Sequence, residues 1–154
     1  MIIWLTGQPG SGKTTLAKAF IDKILNENPS AKIINLDGDD LRSINQNKDY
    51  SKEGRIKNIS TAISIMRFLA NKKYICVVSI VAPYKFLRDE LKDEFPFLEV
   101  YLYTEDIRGR EDFFAKDYEK PTDPKHLSID TGKLNIKESL NAILNVYRKM
   151  ATVA

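Results

Sequence analysis

The chain has 154 residues, 43% of them hydrophobic and 29% charged, with a formal net charge of +3 at pH 7. That length supplies one core and hardly a second, so residues 1–154 are expected to form a single domain. No apolar run approaches the ~20 residues of a helical membrane span, 2–5 is too short for a signal-peptide core, and the basic residues are interleaved with acids rather than gathered in a stripe. These features argue against membrane and nucleic-acid partners and for a cytoplasmic protein that handles an anionic small molecule.

The first apolar run, Ile2-Ile3-Trp4-Leu5, predicts a strand over 2–5. It leads into Gly7-Gln8-Pro9-Gly10-Ser11-Gly12-Lys13-Thr14, which fits every fixed position of G-x-x-x-x-G-K-[ST], and a helical segment follows over 14–26. Strand, loop and helix in that order are the setting in which this pattern binds a nucleoside triphosphate. The glycines let successive backbone N–H groups face one concavity, above the positive end of the following helix. Lys13 is expected to reach the β- and γ-phosphates and the Thr14 hydroxyl to sit on Mg²⁺. Gln8, Pro9, Gly10, Ser11, Gly12 and Thr15 complete the expected ATP-binding set.

A second strand is predicted over 32–36, followed by Asp37-Gly38-Asp39-Asp40-Leu41-Arg42. In a parallel sheet, ligands bind beyond the carboxyl ends of the strands. Asp37 and Asp39 bracket a glycine turn there. Asp37 is placed to hold Mg²⁺ through water, and Asp39 to accept a hydroxyl proton as the catalytic base. The plainer alternative is an acidic turn that caps the next helix.

A helix over 54–71 carries Ile56, Ile59, Ile63, Met66 and Ala70 on one stripe, and Arg55 and Asn58, three apart, share a face, for which the plainer alternative is a solvated polar face. A strand over 75–80 contains Cys76, the sole cysteine, which reads as core and permits no internal disulfide. After a strand over 98–103 comes a charged segment with Arg108, Arg110 and Lys116, the expected lid at about 105–125; the alternative is a solvated helix face. His126, the only histidine, has no partner at metal-ligand spacing and reads as a surface or capping residue. A last strand is predicted over 127–129 and a helix over 136–150, with Asn135 and Glu138 as a capping box. The alternation predicts an α/β fold, a parallel five-stranded sheet with helices on both faces.

The loop at 7–14, the run Leu36 to Arg42, the run Arg55-Ile56-Lys57-Asn58-Ile59 and the run Ser79-Ile80-Val81-Ala82-Pro83-Tyr84-Lys85 resemble, in order and spacing, the successive motifs of adenylyl-sulfate kinases. Ile129-Asp130-Thr131 resembles the family's closing strand. The resemblance implies a P-loop kinase that transfers the γ-phosphate of ATP to the ribose 3′-hydroxyl of adenylyl sulfate. It places Asp39, with Lys13, at the catalytic positions. Asp37, Arg42, Arg55, Asn58, Ser79, Ile80 and Lys85 fall on the acceptor side, Tyr50 against the acceptor's base, and Arg110 near the ATP adenine. The family is often dimeric, so the resemblance also admits a homodimer.

Three departures stand out. Asp40 replaces a usual Asn. Ala82 and Lys85 replace the serine and arginine of Ser-Pro-Tyr-Arg, which excludes a phosphoserine relay there and trades a planar fork for a point charge. The family's lid segment Lys-Asn-Phe-Thr-Gly-Ile is missing between Thr104 and Pro121. Shortened relatives include a branch acting on cytidine diphosphoramidate in capsule synthesis, so two acceptors stay open. A regulatory P-loop ATPase would instead hydrolyse ATP without acceleration by any small acceptor. A polynucleotide 5′-kinase would need a basic channel and bind with steep salt dependence.

Overall fold

The computed structural model describes residues 1–153. Five parallel strands, β1 (Ile2–Thr6), β2 (Ile33–Asp37), β3 (Ile75–Ser79), β4 (Phe97–Tyr103) and β5 (Leu127–Asp130), form one sheet in the order β2-β3-β1-β4-β5. β1 lies at the centre, with Leu5 paired to Ser79 on one side and Val100 on the other. All five of its residues are buried, which is why its sequence is continuously apolar instead of alternating.

Side chains leave a strand on alternate faces. Ile3 and Leu5 therefore enter the layer beneath α1 (Lys13–Glu27) and α5 (Ile136–Val153), where they meet Leu16, Phe20, Ile143 and Leu144. Ile2 and Trp4 enter the opposite layer with Ile59, Ile63 and Met66 of α3 (Lys52–Asn71) and Leu87 of α4 (Lys85–Asp89). Trp4 is fully buried and its indole Nε1 donates to the Ile80 carbonyl at 3.2 Å, so its one polar atom is satisfied. Cys76 is buried too, and burial pushes its thiol up to about 11, leaving it inert. Among the described residues no helix is long and apolar enough to cross a membrane.

The five expected strands and three expected helices are present. Two further helices are present: α2 (Gly38–Asn45), which only the alternative reading of an acidic turn capping the next helix allows for, and α4, which was not anticipated. α2 replaces the expected glycine turn between Asp37 and Asp39: Asp37 caps the helix, its Oδ2 accepting from the Asp39 N–H at 3.1 Å. A glycine at the first helical position carries little of the cost it has in a helix interior. α4 spans five residues, too few for a helical period to show in sequence.

Because the strands are parallel, their carboxyl ends share one edge. The loop after β1, the start of α2, the turn after β3, the long segment 104–126 and the loop after β5 all gather there. At that edge Gly7 holds φ +151, and a Cβ on it would lie 2.2 Å from the Leu102 carbonyl oxygen, so the close passage of the loop over β4 requires glycine.

The capping box read at the start of α5 is formed: Asn135 Oδ1 accepts from the Glu138 N–H at 2.8 Å, and Glu138 Oε1 accepts from the Asn135 N–H at 3.1 Å. Asn135→Ala should lower the unfolding free energy by about 1 kcal/mol, seen as a lower urea midpoint at unchanged slope.

Candidate active site

Gly12 occupies the N-cap of α1 at φ +104, and no side chain caps that terminus. The orphan amides of the first helical turn and the positive end of the helix dipole are left to face the cavity. Lys13 follows, buried, its ammonium donating to the Gly7 carbonyl at 3.0 Å and the Gln8 carbonyl at 2.9 Å. Burial pulls Lys13 from 10.5 down to about 7, against the opposing pull of Asp37 and Asp39.

Asp37, buried at the end of β2, accepts from the Thr14 hydroxyl at 2.7 Å and the Ser79 hydroxyl at 2.6 Å, besides capping α2. Ser79 accepts in turn from Asn35 Nδ2 at 3.1 Å. One carboxylate thus joins the first turn of α1, the end of β3 and the start of α2. Asp39, two residues on, is exposed to a cavity of about 380 Å³. The charged lining of that cavity is Lys13, Arg42, Arg55, Arg108 and Arg110 against Asp37 and Asp39.

Arg42 stacks 4.0 Å from the centre of the Tyr50 ring and donates to the Asp49 carbonyl at 2.9 Å. Arg55 donates to the Tyr50 carbonyl at 3.0 Å and the Phe113 carbonyl at 2.8 Å. Burial first, and then the charge of Arg42, holds Arg55 below the usual arginine value. Two guanidinium groups kept close by carbonyl oxygens make a receptor for an anion. Asn58 is buried beside them, and its Oδ1 has no hydrogen-bond partner among the described residues.

The segment 104–126 lies over the loop. Arg108 donates to the Gly10 carbonyl and to the Thr131 carbonyl, each at 3.0 Å. Gln8 pairs with both backbone groups of Ala115, donating at 2.8 Å and accepting at 2.9 Å. The rings of Tyr50 and Phe113 sit with centres 5.3 Å apart, tilted by 54°.

Most of the expected site residues come together: Pro9, Gly10, Gly12, Lys13, Thr14, Thr15, Asp37, Asp39, Arg42, Tyr50, Arg55, Asn58, Ser79, Ile80 and Arg110 all line the cavity. Others are placed elsewhere. The Gln8 side chain is spent on Ala115, and Ser11 is buried behind the loop, its carbonyl accepting from Thr131. Lys85 pairs with Asp89, outside the lining. Within the lining, Arg110 also lies 5.7 Å from the Phe113 ring centre, and Arg108 reaches as well a second cavity of about 600 Å³ lined by Thr15, Leu16, Thr131, Leu134 and Ile136. Asn35 and Phe113 were missed by sequence reading. The available signals were a polar residue inside an apolar strand and an aromatic pair, Phe113-Phe114, inside a charged segment.

A phosphate loop at the head of a parallel sheet, an acidic helix start beside it and an arginine-rich wall define a P-loop kinase. The sequence matches the adenylylsulphate kinase family over residues 1–113. It is 32% identical to an adenylyl-sulfate kinase of Phocaeicola vulgatus, over 95% of this chain and 81% of that one. It is 28% identical to a probable adenylyl-sulfate kinase of Aeropyrum pernix, over 96% and 92%. Among solved structures, the Mycobacterium tuberculosis APS kinase in complex with AMPPNP and APS superposes with a TM-score of 0.77 at 21% identity, covering 96% of each chain. A gluconokinase from Sinorhizobium meliloti does so with a TM-score of 0.64 at 18% identity, covering 98% of this chain and 94% of that one; at such identities the likeness concerns the fold. The chain belongs to the adenylyl-sulfate kinase family.

Between about pH 7 and 10.5 the unfolded chain binds a proton at Lys13 that the folded chain lacks, so this group makes folding more favourable as pH rises. Urea unfolding of the wild type and Lys13→Met at about pH 7.5 and about pH 9.5 should show the wild type gaining on the variant at the higher pH. Parallel behaviour would refute the depressed value.

Proposed function

We propose that this kinase transfers the γ-phosphate of ATP to the ribose 3′-hydroxyl of adenylyl sulfate. The carrying observation is that the Asp39 carboxylate shares one cavity with the phosphate loop and with the Arg42 and Arg55 pair. An acceptor anion gripped by those arginines would present its sugar hydroxyl between the carboxylate and the donor phosphate. The names of the relatives support this acceptor.

In this reading the amides of 7–14 hold the β- and γ-phosphates, and the ATP purine enters the second cavity beside Leu134 and Arg108. The acceptor hydroxyl gives its proton to Asp39 as its oxygen bonds to the γ-phosphorus. The bond from that phosphorus to the β-phosphate oxygen breaks, and ADP leaves with the electron pair. Lys13, Arg108 and Arg110 stabilise the charge that develops on the transferred group. The Thr14 hydroxyl, and Asp37 through water, would hold Mg²⁺, an ion that suits hard oxygen donors and takes most of its ligands from phosphates and water. When bound, it would neutralise charge on the phosphates. The partner-free Asn58 Oδ1 offers an acceptor for a donor group of the acceptor nucleotide. A cytoplasmic location, where ATP is abundant, fits this reading.

ADP release should be measured with ATP and a panel of adenylyl sulfate, cytidine diphosphate conjugates, plain nucleotides and oligonucleotides. Adenylyl sulfate should accelerate release most. Preference for a cytidine conjugate would move the assignment to that acceptor, and acceptor-independent hydrolysis would make the protein an ATPase. Asp39→Asn should lower kcat by roughly 10²-fold or more while changing ATP affinity little. Lys13→Ala should abolish turnover, and Arg55→Ala should raise the acceptor KM. Wild-type turnover in Asp39→Asn would remove the base assignment.

A further inference from the structure

Arg88 does not line the cavity, yet it is 0% exposed and every nitrogen of its guanidinium is engaged. Nε donates to Glu99 Oε2 at 2.8 Å, Nη1 to the Ala82 carbonyl at 2.5 Å and Nη2 to the Glu119 carbonyl at 2.6 Å. Glu99 is itself buried in β4 and takes a second cation, Lys92, at 2.8 Å. Buried ion pairs often stabilise a fold no better than apolar residues of the same volume would. Its geometry therefore invites another explanation.

The two carbonyls belong to two walls of the site. Ala82 lines the cavity on the side of Ser79 and Ile80, and it holds φ +43, a left-handed conformation that a residue with a Cβ keeps only where its surroundings impose it. Glu119 lies on the stem by which the segment over the phosphate loop returns to the body. Its N–H donates to the Pro83 carbonyl at 2.8 Å and its carboxylate accepts from the Lys85 N–H at 2.8 Å. The adjacent Tyr118 packs its ring 5.4 Å from the Arg88 guanidinium. Its hydroxyl meets that of Thr6 at 2.7 Å, and Thr6 is the last residue before the phosphate loop.

We propose that Arg88 is a positioning residue: held by Glu99, its planar fork grips the Ala82 and Glu119 carbonyls together and so fixes the acceptor-side turn against the stem of the lid. This rests on the kinase reading above. A lysine cannot substitute, because one ammonium lacks the rigid fork that serves Glu99 and two divergent carbonyls at once.

The test uses Arg88→Lys and the double variant Arg88→Met with Glu99→Met, which replaces the ion pair by apolar side chains of similar size and leaves no lone buried charge. Urea unfolding checks that each variant is folded. With adenylyl sulfate as acceptor, both should raise the acceptor KM roughly tenfold or more and leave the KM for Mg-ATP within about twofold. In the double variant the Glu119 amide should exchange with deuterium faster while the amides of α1 keep their protection. If Arg88 only supports the fold, the variants will lose stability and active fraction with both KM values and Glu119 exchange unchanged, and the proposal is overturned. If the wild type transfers phosphate to no acceptor, the kinase reading fails instead. The positioning claim is then decided by the Glu119 amide: faster exchange upholds it, unchanged exchange overturns it.

Discussion

The Asp37 carboxylate ties the phosphate loop, the end of β3 and the start of α2 together at the carboxyl edge of the sheet. Taking a charge out of water is expensive, and here three donors offset that cost: Thr14, Ser79 and the Asp39 N–H. Hydrogen bonds to a charged group contribute about 1.5–3 kcal/mol each, enough together to keep a buried carboxylate in place. Each donor comes from a different element. The same group that orients the Thr14 hydroxyl also starts the helix that presents Asp39, so the phosphate loop and Asp39 are set relative to each other by one carboxylate instead of by two independent loops.

The remainder of the site is an exercise in surplus charge. Four arginines and Lys13 face two carboxylates across the cavity, and Arg42 and Arg55 are held by backbone carbonyls, the Asn47 amide oxygen and an aromatic face in place of acidic partners. Carbonyls orient a guanidinium without neutralising it, which leaves its charge for a ligand. The segment over the phosphate loop is held in the same way. Gln8 and Arg108 join it to the phosphate loop, Gln8 through the Ala115 main chain and the Arg108 side chain through the Gly10 carbonyl.

How far the sequence revealed this depends on the range of each interaction. Strands showed because burial on both faces leaves continuous apolar runs, as in β1, and the phosphate loop showed because its glycines answer to backbone geometry within eight residues. Arg55 and Asn58 were legible as a helical pair. Contacts between distant segments left no such trace. Nothing in the sequence ties Gln8 to Ala115, Asn35 to Ser79 or Arg88 to Glu119, since each is decided by how strands and loops are laid side by side. At Gly38 the plainer of the two readings holds: the acidic turn caps a helix through Asp37, and the glycine opens it. Arg110 and Arg108, two residues apart in an irregular segment, could be told apart only by where the Gly109 bend, at φ +81, sends them.

The most direct measurement is a crystal structure with magnesium, a non-hydrolysable ATP analogue and the acceptor nucleotide. The β- and γ-phosphates should lie in the amides of 7–14, with Thr14 still donating to Asp37 and the Asp39 carboxylate within hydrogen-bond reach of the acceptor's sugar hydroxyl. Phosphates bound elsewhere, or an Asp39 carboxylate turned away from the hydroxyl while another base meets it, would contradict the role given to these two aspartates.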